Sequence, residues 1–300
     1  MAKAGTWIGC ALLALILVTA ATATAPPGTP DPSTIVLTAA DFPGAADAGG
    51  SAGSPTQDIV ASYERGTAFS KPYGSSKYSL LVSTAFVTTT PGAAGAEYSL
   101  LAHQLSSKSG QAGFVKDFLA GAKVKRKDAK VGITTPHALG IGDASMETGF
   151  VFNLVKAKQR TNVSLSVIAL DRVVVVNVAA GLGSKVVAAD AKALASLVVT
   201  HATAALVPVV VTEPAVSGTA QQGQTLSASN GMWGNTTTAY TYQWQDCDTA
   251  GNSCADIAGA TADTYVVQQT DVGETLRVEV TTTNRFGVTT AESPVTAAAT

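Results

Sequence analysis

Between residues 57 and 206 the chain alternates between the period-two pattern of strands and the wider spacing of amphipathic helices. Residues 57–66 and 78–88 are rich in β-branched and aromatic side chains. Turn chemistry at Lys71-Pro-Tyr-Gly74 separates them, which predicts two paired strands. Pro91-Gly92 opens a helical stretch to about Ser107, with Ala96, Leu100, Leu101 and Leu105 near helical spacing. A shorter helix is predicted over 111–122, then a three-strand meander over 147–156, 162–170 and 172–179. In the middle strand Val163, Leu165, Val167 and Ala169 alternate with Ser164 and Ser166, so one sheet face is expected buried and the other partly wet. A last helix is expected from Ser184, as its N-cap, to about Leu206, with Val187, Ala191, Leu194, Leu197, Val198 and Ala205 as its apolar stripe. This order predicts an α+β domain over residues 37–206, an antiparallel sheet with helices on one face.

Past residue 206 the pattern changes to short strands and turns, predicted at 224–229, 239–245, 264–268, 275–283 and 287–292. Most start 11–15 residues apart, and the one wider gap, which holds Cys247 and Cys254, has room for a further strand. That spacing predicts an all-β sandwich over 215–300, joined to the first domain by a linker at 207–214. Tyr242 and Trp244 share one face of their strand, as do Leu276, Val278 and Val280 on another, and these are the expected core.

Charge divides the chain at the same place. Residues 32–206 carry a net +5 and residues 207–300 a net −7, so the overall −2 hides two opposed halves. A pI near 5.9 excludes a broadly basic nucleic-acid binder, and 46% hydrophobic content with 13% charge excludes disorder.

Residues 1–25 read as a secretory signal peptide: Lys3, an uncharged run from Trp7 to Val18, then the small-residue patterns Ala21-Thr-Ala23 and Ala23-Thr-Ala25. Pro26 disfavours the second cut, so cleavage is placed near Ala23. A retained anchor is the rival reading, but the run is shorter than the roughly 20 residues that span a bilayer. A proline-rich leader occupies 26–36. With the signal removed, no membrane span is expected, and Cys247 and Cys254 remain as a pair in an oxidising compartment. A disulfide bond stapling a hairpin tip is expected there. Zinc is the alternative, although two Cys without a nearby His do not complete a site.

Catalytic chemistry is scarce. Gly49-Gly-Ser-Ala-Gly53 matches a nucleophile-elbow pattern, but Ala/Gly-rich sequence precedes it and Ser54-Pro55 follows, so a loop is expected. His103, His137 and His201 fall on a helix, a loop and the last helix, with no two at metal-ligand spacing. Gly181-Leu-Gly-Ser184 lacks the third glycine of a dinucleotide motif, Val186 standing in its place, and Gly140-Ile-Gly142 is no stronger. No enzyme activity, metal or cofactor is implied. Tyr63, Glu64, Arg65 and Tyr73 are candidates to line a pocket on the open sheet face. The most suggestive polar feature is the run Lys123, Lys125, Arg126, Lys127 and Lys130, five cations in eight residues. It reads either as a solvated loop or hairpin turn, or as a patch for anionic envelope polymers or for the acidic half of the same chain. No aromatics interleave it, so nucleic acid is not an expected partner.

The segments Ser217–Leu226, Gly231-Met-Trp233, Tyr242–Cys247, Ile257–Tyr265 and Asp271–Val278 resemble, in order, the bacterial Ig-like repeat of secreted actinobacterial proteins. The resemblance implies a sandwich serving as spacer or adhesion module, present here as one copy. No Cys pair joins the two sheets, and Leu226 and Val280 are expected in that core position. Leu37–Gly44 and Gly140–Asp143, with the sheet-and-helix unit between and after them, are similar to extracellular sensor-like domains of actinobacterial envelope proteins, of the receptor-kinase ectodomain or PsbP-like kind. That similarity implies binding of a ligand or protein partner, not catalysis. Together these readings predict a secreted or envelope-associated bacterial protein. Its α+β domain is expected to bind a ligand or anionic surface polymer, with its Ig-like domain as spacer or contact module; the alternative is adhesion through the sandwich, and an enzyme of unknown class ranks third.

Overall fold

The computed structural model describes residues 25–182, 185–235 and 237–300. They form two compact units, one of Asp31–Ala205 and one of Pro26–Pro30 with Leu206–Thr300. Nearly all of the expected signal peptide, with Cys10, and the expected helix cap Ser184 lie outside the described residues.

The first unit is built on an eight-stranded antiparallel sheet of β1 (Ala45–Ala52), β2 (Ile59–Tyr73), β3 (Tyr78–Thr88), β4 (Ala129–Ile133), β5 (His137–Ala138), β6 (Ala144–Leu154), β7 (Gln159–Leu170) and β8 (Val173–Gly181). The order is β1-β2-β3-β8-β7-β6-β4, with β5 on β6. Helices α1 (Pro91–Ser106) and α2 (Lys108–Gly121) follow β3, and α3 (Ala188–Ala205) follows β8.

Local chemistry sets the helix ends. The Thr90 hydroxyl accepts from Ala93 N–H ahead of Pro91, and the Ser107 hydroxyl accepts from Gly110 N–H, so the single residue Ser107 separates α1 from α2. A Cβ at Gly110 would run into the carbonyl of Gln104. On α2, Phe114, Val115, Phe118 and Leu119 are buried, and Phe118 stacks on Phe152 of β6 at 4.1 Å between centroids. On α1 only Ala94 is fully buried, and Leu100, expected on the apolar side, is 55% exposed.

The expected arrangement of helices on one face is corrected. Val163, Leu165, Val167 and Ala169 pack in one core with Phe114 and Phe118 of α2. Ile168, on the opposite face of the same strand, packs with Ala191 and Ala195 of α3. The sheet thus has helices on both sides, three layers in all. Ser164 and Ser166 are accordingly buried, not wet. The physical reason is visible in β8, where Val173-Val-Val-Val176 is buried without alternation, as a strand covered on both faces must be. Within the proline-rich leader Pro32–Thr34 form a 3-10 turn against β2, β3 and α3, and Ile35 and Val36, like Leu37 just after it, are fully buried. The Ala/Gly-rich segment expected as a loop forms β1, an exposed edge strand on β2.

In the second unit β13 (Ala239–Cys247) pairs with β14 (Ala255–Asp256) and β16 (Thr275–Asn284), and β16 pairs with β17 (Gly287–Glu292). A second, three-stranded sheet holds β10 (Ala215–Ser217), β11 (Thr225–Ser229) and β15 (Thr264–Val266). Within the segment expected as a linker, β9 (Val209–Thr212) pairs with β12 (Met232–Gly234). Leu226, Trp244, Leu276, Val278 and Val280 are fully buried in one core that draws on both larger sheets, with Tyr242 partly buried against it. Trp244 stacks on Tyr265 and its indole N–H donates to the Ala262 carbonyl, which satisfies its one polar atom.

Candidate functional site

Helix α2 ends in the six-to-one pattern that closes helices with a left-handed residue. Lys123 N–H donates to the Ala120 carbonyl, Val124 N–H donates to the Leu119 carbonyl, and Lys123 takes φ 54°. The closure brings Val124 back toward Leu119, the apolar contact that accompanies the motif. It also starts the basic run immediately beyond the helix. Residues Arg126–Asp128 make a 3-10 turn into β4, and the Arg126 guanidinium donates to the Ala129 carbonyl. All five predicted cations, Lys123, Lys125, Arg126, Lys127 and Lys130, are exposed. The acid within the run, Asp128, is paired with Lys156 at 3.0 Å.

Beside this turn lies a groove of about 490 Å³. Its floor is apolar, from Val115 and Leu119 of α2, Val124 of the turn, and Val131 and Ile133 of β4. Its three charged lining residues, Lys108, Lys116 and Arg126, are all cations. Lys108, Ala112, Lys116 and Ala120 stand at steps of four along α2, so both lysines project from one stripe of the helix. Sequence reasoning found the basic run and missed the two lysines, although that four-residue spacing was their signal. The 490 Å³ volume falls in the range of roughly 300–1,000 Å³ typical of small-molecule sites.

The opposite sheet face carries a second polar feature that the sequence did not reveal. Strand register aligns Arg65, Ser83, Asn177, Ser166, Glu147 and His137 in a row across six strands. Ser83, Asn177, Ser166 and Glu147 are each at most 2% exposed. Glu147 accepts from the Ser164 hydroxyl at 2.9 Å and lies 3.4 Å from His137 Nδ1. Burial raises its carboxyl above the ordinary range, opposed by the Ser164 hydrogen bond and then by His137. The carboxylate stands between hydroxyl and imidazole, so the imidazole is not placed to take the serine proton as in a nucleophilic triad. Nearby, burial pushes the Tyr78 phenol up to about 12.

The remaining candidates do not gather at one site. Tyr63 and Arg65 share a face, the guanidinium 5.9 Å from the ring centroid. Glu64 points to the other face, 3.3 Å from the Thr84 hydroxyl, and Tyr73 belongs to an aromatic cluster with Phe42 and Phe69. The expected shared pocket of these four is therefore corrected: successive strand residues face opposite ways. His103 sits on α1, His137 lies in β5 and not in a loop, and His201 Nε2 is 3.0 Å from Asp41. Gly140 and Gly142 take positive φ between β5 and β6. Gly183 and Ser184 lie outside the described residues.

Cys247 and Cys254 form a disulfide that joins the end of β13 to the residue before β14. The tip it encloses is organised by Asp248, whose carboxylate accepts from the backbone of Asn252 and Ala250, and these bonds hold it below the usual carboxylate range. Among the described residues there is no group of three or more His, Cys, Asp or Glu able to hold a metal, and no helix is long and apolar enough to cross a membrane.

No family model and no curated protein matches the sequence. Among solved structures, the chain is similar to the extracellular domain of PknH from Mycobacterium tuberculosis, at 9% identity and a TM-score of 0.35, over 56% of this chain and 92% of that one.

Proposed function

We propose that this is an exported, non-catalytic binding protein of a bacterial envelope. Its first unit takes an anionic envelope ligand on the face around Lys123–Lys130, and its second unit is an Ig-like sandwich acting as spacer or contact module. One observation carries the reading: the exposed basic run lies beside a groove whose charged lining residues are all cations. Export is supported by the signal-like pattern of residues 1–25 and by the Cys247–Cys254 bond, which belongs to an oxidising compartment.

The test is retention of the purified chain on immobilised polyphosphate and on envelope extract, at low and high salt. A variant with Lys123, Lys125, Arg126, Lys127 and Lys130 all changed to Gln is the control. Retention at low salt, loss at high salt and loss in the variant are expected, because exposed charges are screened within about 8–10 Å at physiological ionic strength. Equal retention of wild type and variant refutes the reading.

Adhesion through the second unit is the alternative, and β17 favours it. This is the edge strand of its sheet, with Val288, Thr290 and Glu292 exposed in alternation. Binding that survives the five-cation variant but is lost on Val288→Lys would select that reading.

A further inference from the structure

We infer that the ligand of the basic face is an anionic lipid, its acyl chain lying on the groove floor and its headgroup held by Lys108, Lys116 and Arg126. This inference rests on the reading above and adds the chemistry of the ligand. A face built only for a polymeric anion needs exposed cations and no depression. Here the cations border an open groove with a floor of five aliphatic side chains, Val115, Leu119, Val124, Val131 and Ile133. Ile133 is 42% exposed on β4, the edge strand of the sheet. An exposed Ile on an unpaired edge is a liability in water, and the same arrangement suits a bound chain. The lysines suit the rim, since their stems lie along apolar surface while the ammonium reaches the headgroup. Charge complementarity therefore selects a lipid anion over a neutral lipid, and the aliphatic floor selects a lipid over a free anion.

Titrating the purified protein with alkyl phosphates of increasing chain length, below their micellar concentrations, tests this by calorimetry. Each methylene added on the floor should tighten binding about fourfold until the groove is filled. An alkyl glucoside of matched length should bind more weakly. Lys108→Gln with Lys116→Gln, which leaves Arg126 in place, should weaken that preference for phosphate while leaving the chain-length dependence. Ile133→Ser with Val131→Ser should flatten the chain-length dependence while keeping retention on polyphosphate, with an unchanged circular dichroism spectrum showing that the variant is folded.

A flat chain-length series with polyphosphate still bound overturns the lipid inference and leaves the basic-face reading standing. Failure to bind polyphosphate as well as every alkyl phosphate at low salt overturns both. Sedimentation in parallel covers the remaining occupant: a dimer undisturbed by saturating alkyl phosphate, and lost on Ile133→Ser, would assign the groove to a second copy of the chain and overturn the inference.

Discussion

Reducing the Cys247–Cys254 bond isolates one term in the stability of the second unit. The two residues are seven positions apart, so the bridge closes a loop of eight residues. Loop-closure entropy for that length comes to about 2.5 kcal/mol at 25 °C, lost when the unfolded chain is freed. For a unit of this size that corresponds to a fall of about 10–20 °C in Tm. The assay is selective because Trp233 and Trp244, both in the second unit, are the only tryptophans beyond Trp7. Thermal unfolding followed by tryptophan fluorescence, with and without reductant, therefore reads this unit. A Cys247→Ala, Cys254→Ala variant removes the bond without placing a hydroxyl at Cys247, which is 2% exposed. That magnitude holds when the tip is unformed in the unfolded chain. Asp248 argues for local order, since its carboxylate binds two backbone N–H groups within the loop. If the reduced protein and the variant both melt within about 3 °C of the oxidised one, the turn already restricts the unfolded chain and the entropic account is wrong.

In the first unit, Phe118→Ala should cost about 3–5 kcal/mol, because Phe118 is 2% exposed and stacked on Phe152; urea unfolding followed by circular dichroism measures it. Gly110→Ala should destabilise the α1–α2 junction despite a helix-propensity gain of about 1 kcal/mol, and a rise in Tm would show that the approach to Gln104 relaxes freely. Lys123→Gly should stabilise this unit by roughly 1 kcal/mol by relieving the left-handed backbone, while weakening retention on polyphosphate. Glu147→Gln tests the buried carboxyl. A folded pKa raised by burial gives stability that is full below the unfolded value and is lost as pH rises through the folded one. The variant should therefore match wild type below about pH 4.5 and gain on it at neutral pH, as read from denaturation midpoints across pH; a constant difference at all pH values would contradict the assignment.

What was legible in the sequence follows from which physical signals are local. Strand alternation in β7, the Thr90-Pro91 start of α1 and the paired cysteines each depend on neighbours a few residues apart, and each can be read along the chain. The second helical layer cannot, because coverage of a sheet face depends on where α3 returns after β8. The four-valine run of β8 carried that information, since a strand with one wet face would alternate. Ser164 and Ser166 pointed the other way because a hydroxyl is small enough to be buried once it has a partner, as Ser164 has in Glu147. Glu147 itself gave no sign of burial. Its partner Ser164 is 17 residues away, and His137 reaches it only through the pairing of β5 with β6.

The candidate site lies between these cases. Its cations at 123–130 form a cluster in sequence, so the run stood out as charge. Its floor is divided among α2, the turn after it and β4, and no single stretch shows those side chains as one surface. The sequence therefore supports an anion-binding reading by itself, whereas the choice between polymer and lipid depends on Val131 and Ile133 meeting Leu119 across the turn. For that reason the decisive comparison varies chain length at constant charge: charge alone is already evident in the sequence, and the apolar floor is what the fold adds.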